Sequence, residues 1–173
     1  SKQVNAEKRE ELKKFIKEVK SDVDTVKQIS CKEPCPQKVA LTNVDKSRRC
    51  WSDKRILFLD LDETLIHTTF AGEEQKVSAL HQPSVNYRPY LDLFLEEMSK
   101  YYNLVLFTAS YREYAEKLLN KIDKNSEHIL NVLARENCTK YNNNFIKDFR
   151  IVLNKNFARE DMLMLDNKVI SFA

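Results

Sequence analysis

Three short apolar runs punctuate the chain, and each hands over at once to a polar group. Ile56-Leu57-Phe58-Leu59 runs into Asp60-Leu61-Asp62-Glu63-Thr64, Leu104-Val105-Leu106-Phe107 into Thr108, and Met162-Leu163-Met164-Leu165 into Asp166-Asn167. Apolar runs without alternation predict strands buried on both faces, as in a parallel sheet covered by helices. Such a strand delivers whatever follows it to the carboxyl edge of the sheet, where open α/β folds bind ligands. Ile129 to Ala134 predicts another strand, leading to Arg135, and Phe145-Ile146-Lys147 a short one.

Between these runs the spacing becomes helical. Leu91, Phe94, Leu95 and Met98 share one face of a predicted helix with Pro89 in its first turn. Ala115, Leu118, Leu119 and Ile122 mark a second, and Ser110 with Glu113 reads as its capping box. The polar, weakly alternating insert from Thr68 to Arg88 predicts a loop or small hairpin over the strand ends. Asn142-Asn143-Asn144, between Tyr141 and Phe145, predicts a hairpin turn. Strand, helix, strand, helix, strand is the order of an α/β domain with a doubly wound, mainly parallel sheet.

An N-terminal helical extension precedes this domain. Over residues 6–30, Leu12, Ile16, Val19, Val23 and Val26 fall at alternating steps of four and three, with Phe15 and Ile29 widening the stripe. That is a heptad-like seam. It packs back on the domain, docks a partner or pairs with a second copy. Cys31 to Asp53, with Pro34 and Pro36, reads as an extended connector. The expected division is therefore 1–53 for helix and linker and 54–173 for the α/β domain, whose C-terminal end is expected to be incomplete.

Composition narrows the function. Residues 1–55 hold 15 Lys/Arg against 9 Asp/Glu and the remainder 14 against 17, so a mildly basic leader joins a mildly acidic domain. Its charges alternate in sign like a solvated helix face, and no basic stripe with stacking aromatics points to nucleic acid. No apolar stretch approaches the roughly 20 residues that span a bilayer. No signal peptide is visible, and Ser1 in place of Met leaves room for a preceding segment. Cys31, Cys35, Cys50 and Cys138 read as free thiols of a reducing compartment, since the spacing of the first three is irregular for zinc and no His lies near them. Gly72 is the only glycine, which excludes a P-loop and a GxGxxG fingerprint. Phosphate handled here must be held by cations and side chains.

Two carboxylates two residues apart at a buried strand end repel each other and need a cation or a proton to coexist. A hard divalent ion bound through oxygen meets that need. Asp60 can then bind Mg²⁺ and attack phosphorus, while Asp62 protonates the leaving oxygen and later deprotonates the attacking water. Asp166 and Asn167 add oxygen ligands, Thr108 the hydroxyl and Lys147 the fixed cation that phosphoryl transfer requires. His67, His81 and His128 read as surface or packing residues, with His67 near the first loop.

DLDETLIH at 60–67, LVLFTAS at 104–110, FIKD at 145–148 and LMLDN at 163–167 resemble the four motifs of the haloacid dehalogenase superfamily. More narrowly they resemble the small C-terminal-domain phosphatases, the NLI-interacting-factor-like group that hydrolyses phosphoserine or phosphothreonine. The resemblance covers residues 54–173 and leaves out the N-terminal helix. It implies Asp60 as nucleophile and Asp62 as acid/base, with the Asp62 backbone carbonyl also on Mg²⁺. It further implies Asn167 as a metal ligand with Asp166 orienting it, and Thr108 and Lys147 holding the transferred phosphate. Phe70, Tyr114 and Arg135 align with positions that contact the phosphopeptide. The chain departs from the family in a shorter insert before Arg88-Pro89 and in Lys168-Val169, where Ser-Pro commonly follows Asp-Asn.

The function expected is a Mg²⁺-dependent protein serine/threonine phosphatase working through an aspartyl-phosphate, on phosphopeptides like the C-terminal domain of RNA polymerase II. Its expected location is intracellular, nuclear or cytoplasmic. The alternative is a catalytically silent scaffold docking a partner through the N-terminal helix, with a mitochondrial location open to it. A response-regulator receiver fits less well, because its phosphorylated Asp lies on a later strand than its acidic pair. A small-metabolite phosphatase lacks the cap insertion that would close over its substrate.

Overall fold

The computed structural model describes residues 10, 11, 13–21, 24, 52–69, 84–141, 143–152 and 158–168. In chain order its elements are β1 (Ile56–Leu59), β2 (Ile66–Thr69), β3 (Ser84–Tyr87), α1 (Leu91–Tyr101), β4 (Asn103–Phe107) and α2 (Arg112–Ile122). They continue with β5 (Ile129–Leu133), β6 (Thr139–Tyr141), β7 (Asn144–Ile146) and β8 (Met162–Leu165).

The three apolar runs become neighbours. The main sheet has the order β5-β4-β1-β8 with every pair parallel. From β1 the chain winds outward through α1 to β4 and through α2 to β5. It then returns to the other side of β1 as β8. The direction of winding reverses at β1, and such a reversal opens a crevice at the carboxyl ends of the strands. Register sharpens this, because Leu59 lies opposite both Leu106 and Leu165. Asp60 and Asp166 therefore leave the sheet at the same level, tied by an Asp60 N–H bond to the Leu165 carbonyl at 2.9 Å.

The pleat splits each strand between two cores. Leu57, Leu59, Leu104 and Leu106 point to the face covered by Leu91 and Leu95 of α1 and Ala115, Leu118 and Leu119 of α2. Ile56, Phe58, Val105 and Phe107 point to the other face, where Ile151, Val152 and Phe149 of a short 3-10 turn cover them. Phe58 is fully buried there, stacked on Phe149 at 5.0 Å and tilted against Phe107 at 5.9 Å.

Several boundaries differ from the sequence reading for identifiable reasons. β4 begins at Asn103, a polar residue that is nonetheless buried because its side-chain amide donates to the Ser52 and Lys54 carbonyls at 2.8 and 2.7 Å. Pro89 lies ahead of α1 rather than in its first turn, and Tyr90 caps the helix in the left-handed region at φ 63°. The hairpin expected around three asparagines forms, but Asn144 pairs with Tyr141 as part of β7. The insert does carry a hairpin, β2 with β3, while residues 70–83 lie outside the described residues.

In the N-terminal extension, residues 10, 11, 13–21 and 24 are helical. Phe15 and Ile16 of the seam are exposed, and Leu12, Val23, Val26 and Ile29 lie outside the described residues. The same holds for Cys31, Cys35 and Cys50, whereas Cys138 is a free thiol. Among the described residues no helix is long and apolar enough to cross a membrane.

Candidate active site

The loop after β1 is built tightly before it holds anything. The Leu65 and Ile66 N–H groups both return to the Leu61 carbonyl, at 2.9 and 3.1 Å. Glu63 adopts φ 63°, a left-handed conformation unfavourable for a residue with a Cβ and sustained only where the surroundings enforce it. Arg88, at the end of β3, enforces it by donating to the Thr64 and Glu63 carbonyls, at 2.5 Å from Nε and 3.1 Å from the terminal nitrogen. His67 accompanies this loop on the outside, with Nδ1 2.7 Å from Glu63.

Lys147 joins the ends of β1 and β8. Its ammonium donates to Asp60 Oδ1 and to Asp166 Oδ2, each at 2.5 Å, with the lysine only 2% exposed. A buried lysine is costly unless fully paired, and here two strands each contribute a carboxylate to it. The other oxygen of Asp60 accepts from the Thr64 hydroxyl at 3.0 Å, and that hydroxyl in turn accepts from the Asn167 N–H at 3.2 Å. Burial pushes the Asp60 carboxyl above the ordinary carboxylate range despite the opposing pull of Lys147. Desolvation outweighs pairing at this position, so an additional positive charge beside Asp60 has stabilisation left to supply.

Asp62, two residues on, has different company. Ser110 Oγ donates to its Oδ2 at 2.6 Å and the Tyr114 hydroxyl to its Oδ1 at 3.1 Å. The capping box expected of Ser110 and Glu113 is therefore absent. Helix α2 is capped at Tyr111 with no side-chain bond, because the Ser110 hydroxyl has gone to the carboxylate. A lost cap costs about 1 kcal/mol, whereas a hydrogen bond to a charged group contributes about 1.5–3 kcal/mol, so the carboxylate wins the hydroxyl.

The remaining expected residues differ in how they are tied to these two carboxylates. Thr108 is buried, with its hydroxyl oxygen accepting the Ser110 N–H at 3.1 Å. Asp166 completes its bonding with the Lys168 N–H at 2.8 Å, and Asn167 is exposed beside it. Arg135 donates from Nε to the Ala109 carbonyl at 2.6 Å, its guanidinium lying 4.0 Å from the Tyr111 ring centre and 4.7 Å from that of Phe145. Tyr114, expected at the peptide contact, has its hydroxyl on Asp62 and on Thr68. Phe70 lies outside the described residues. Cys138 sits underneath with its thiol pushed up to about 12 by burial, which leaves it protonated and unreactive near neutral pH.

Sequence reasoning missed Thr64 and Ser110. Thr64 stands inside the DLDET string and Ser110 inside LVLFTAS, but neither spacing nor residue type reveals that a hydroxyl will bridge two loops. Among the described residues no group of three or more His, Cys, Asp or Glu side chains is arranged to hold a metal ion. Asn167 is tied to Asp60 through Thr64, whose hydroxyl accepts the Asn167 N–H and donates to the carboxylate.

A parallel sheet whose strand ends gather two acidic groups around a buried lysine defines an α/β domain with its candidate site at the carboxyl edge of the strands. The family model for NLI interacting factor-like phosphatases matches residues 55–173, and the chain belongs to that family. It is 36% identical over 125 residues to CTD small phosphatase-like protein 3 of Caenorhabditis elegans, covering 68% of this chain and 42% of the relative. It is 34% identical over 129 residues to the human carboxy-terminal domain RNA polymerase II polypeptide A small phosphatase 1, covering 70% and 48%. CTD nuclear envelope phosphatase 1B of Danio rerio is 32% identical over 130 residues, covering 66% and 53%. The chain thus spans about half the length, or less, of these relatives. The fission yeast RNA polymerase II CTD phosphatase, solved with beryllium fluoride, shares the fold at a TM-score of 0.54 and 19% identity, over 69% of this chain and 39% of that one.

Proposed function

We propose that this chain is a Mg²⁺-dependent phosphoserine/phosphothreonine phosphatase that works through an aspartyl-phosphate on Asp60. The observation that carries the reading is the separation of environments between Asp60, paired with a buried ammonium, and Asp62, held by two hydroxyls. Two carboxylates whose surroundings differ in this way suit two different chemical roles.

The first step is attack by an Asp60 oxygen on phosphorus, with the P–O bond to the substrate breaking and Asp62 giving its proton to the departing oxygen. Water then attacks the aspartyl-phosphate, Asp62 takes the water's proton, and the P–O bond to Asp60 breaks to release phosphate. Lys147 and Thr108 hold the phosphoryl oxygens in place, and Arg135, Tyr114 and Phe70 contact the flanking peptide. The Asp60 carboxylate, the Asp62 carbonyl and the Asn167 side chain would hold the ion, with Asp166 beside it, and these hard oxygen donors fit Mg²⁺. The ion supplies charge neutralisation for the phosphoryl group in flight. Burial opposes the ionisation of Asp60, and a positive charge beside it would favour the carboxylate.

The substrate proposed is a phosphorylated protein segment, by likeness to the relatives named for the RNA polymerase II C-terminal domain. The test is phosphate release from a panel of phosphoserine and phosphothreonine peptides with Mg²⁺ and with chelator. Turnover that needs Mg²⁺ is expected. No release from any peptide, with the folded protein binding a partner through residues 6–30, would establish the scaffold reading instead.

A further inference from the structure

Four carboxylates at or beside the crevice can be compared by what holds them. Asp60 and Asp166 share the Lys147 ammonium. Asp148 is held by the Arg150 guanidinium and backbone N–H. All of these partners include a fixed positive charge, which favours the ionised carboxylate. The hydrogen bonds of the Asp62 carboxylate among the described residues come from two hydroxyls alone, Ser110 on one oxygen and Tyr114 on the other.

A hydroxyl differs from an ammonium or an amide N–H in that it both donates and accepts. It can donate to a carboxylate and, after rotation, accept from a carboxylic acid. Hydroxyl partners can therefore stay bonded to a group that alternates between proton donor and proton acceptor. The hydroxyls are themselves anchored. Ser110 is locked by its N–H on Thr108 Oγ1 at 3.1 Å and by its carbonyl, which accepts the Arg135 N–H at 2.9 Å. The Tyr114 hydroxyl has Thr68 Oγ1 at 3.0 Å, so while its one proton lies on Asp62 it accepts that of Thr68.

We infer that Ser110 is a positioning residue for the acid/base, and that the chain Thr68–Tyr114–Asp62–Ser110 holds Asp62 in line with the scissile oxygen through both halves of the reaction. The inference rests on the reading of Asp62 as acid/base. In the first half the Asp62 proton moves to the substrate oxygen as its bond to phosphorus breaks, and in the second a water proton returns to Asp62 as the aspartyl-phosphate is cleaved. Ser110 and Tyr114 exchange no proton with substrate in either half. They keep the carboxyl where both transfers occur.

A positioning role predicts a dependence on the leaving group. A phosphoserine peptide expels a poor alkoxide and needs the proton, whereas p-nitrophenyl phosphate expels a stabilised phenolate and hardly needs it. Misplacing a catalytic group can cost about 10²-fold. Ser110→Ala should therefore lower single-turnover phosphoenzyme formation from a phosphoserine peptide by about 10²-fold, and lower the p-nitrophenolate burst far less. Ser110→Thr, which retains the hydroxyl, should restore most of the peptide rate. Equal losses on the two substrates, or a Ser110→Thr protein no better than Ser110→Ala, would overturn this inference alone. A wild-type protein that turns over neither substrate would overturn the phosphatase reading and this inference with it.

Discussion

Strands β1 and β8 are each four apolar residues long, each ends in an aspartate, and both aspartates hold the same lysine, yet the two strands live in different surroundings. Every residue of β1 is buried, because β4 and β8 flank it and both faces of the sheet are covered there. Among the described residues β8 pairs with β1 alone in the main sheet, and Leu163 and Leu165 are 46% and 42% exposed. The same apolar pattern thus describes a central strand and an edge strand. Burial comes from neighbours, and so does the stiffness with which each strand presents its carboxylate. Asp60 is fixed by Lys147, by Thr64 and by its own N–H on Leu165. Asp166 is fixed by Lys147 and by the next turn of its own loop.

If β1 delivers the nucleophile and β8 a supporting charge, exchanging carboxylate for amide should have unequal consequences. Asp60→Asn is expected to lower phosphopeptide turnover on the order of 10⁴-fold or more, since removal of a nucleophile leaves only residual catalysis. Asp166→Asn, acting through Lys147 and the loop beside it, is expected to lose about 10–100-fold, the usual range for partners that orient a metal site. Steady-state kinetics on one peptide decides this, and equal losses would erase the distinction between the two strands.

Stability should follow the same division on a smaller scale. Phe58→Ala empties a site between Phe107 and Phe149 and is expected to cost about 3–5 kcal/mol. Leu163→Ser, on the edge strand, is expected to stay within about 0.5 kcal/mol. Urea unfolding of both variants measures the contrast. A loss at Leu163 comparable to that at Phe58 would mean that β8 is covered in solution.

The smallest effect concerns charge. Folded Asp60 holds its proton more tightly than the ordinary value of 3.8 because burial opposes its ionisation. Its contribution to stability is therefore greatest below that value and is lost as pH rises towards the folded pKa. With chelator present, the stability of wild type relative to Asp60→Asn should fall as pH rises from about 4 and then level off. Thermal unfolding of both proteins across pH gives the difference directly. A relative stability that grows with pH would show that Lys147, rather than burial, governs the Asp60 carboxyl.

Much of the architecture was legible because apolar runs ending in polar groups carry both a secondary-structure and a positional message. The runs at 56–59, 104–107 and 162–165 announced parallel strands, and their polar followers announced a shared crevice. Hydroxyl traffic was not legible. Ser110 looked like a helix cap because the local pattern offers it a backbone N–H, and only the fold brings the competing carboxylate of Asp62 within 2.6 Å. Thr64 looked like one more loop residue until β8 brought the Asn167 N–H to its oxygen.

What the residue order determined by itself is the periodicity of each segment and the kind of group at each strand end, since both depend on neighbours a few positions away. Only the tertiary structure decided that Lys147, 87 residues from Asp60 and 19 from Asp166, would sit between them. It also decided which of two look-alike strands would be central. Both outcomes depend on desolvation and long-range pairing, which act between segments that chain order keeps apart.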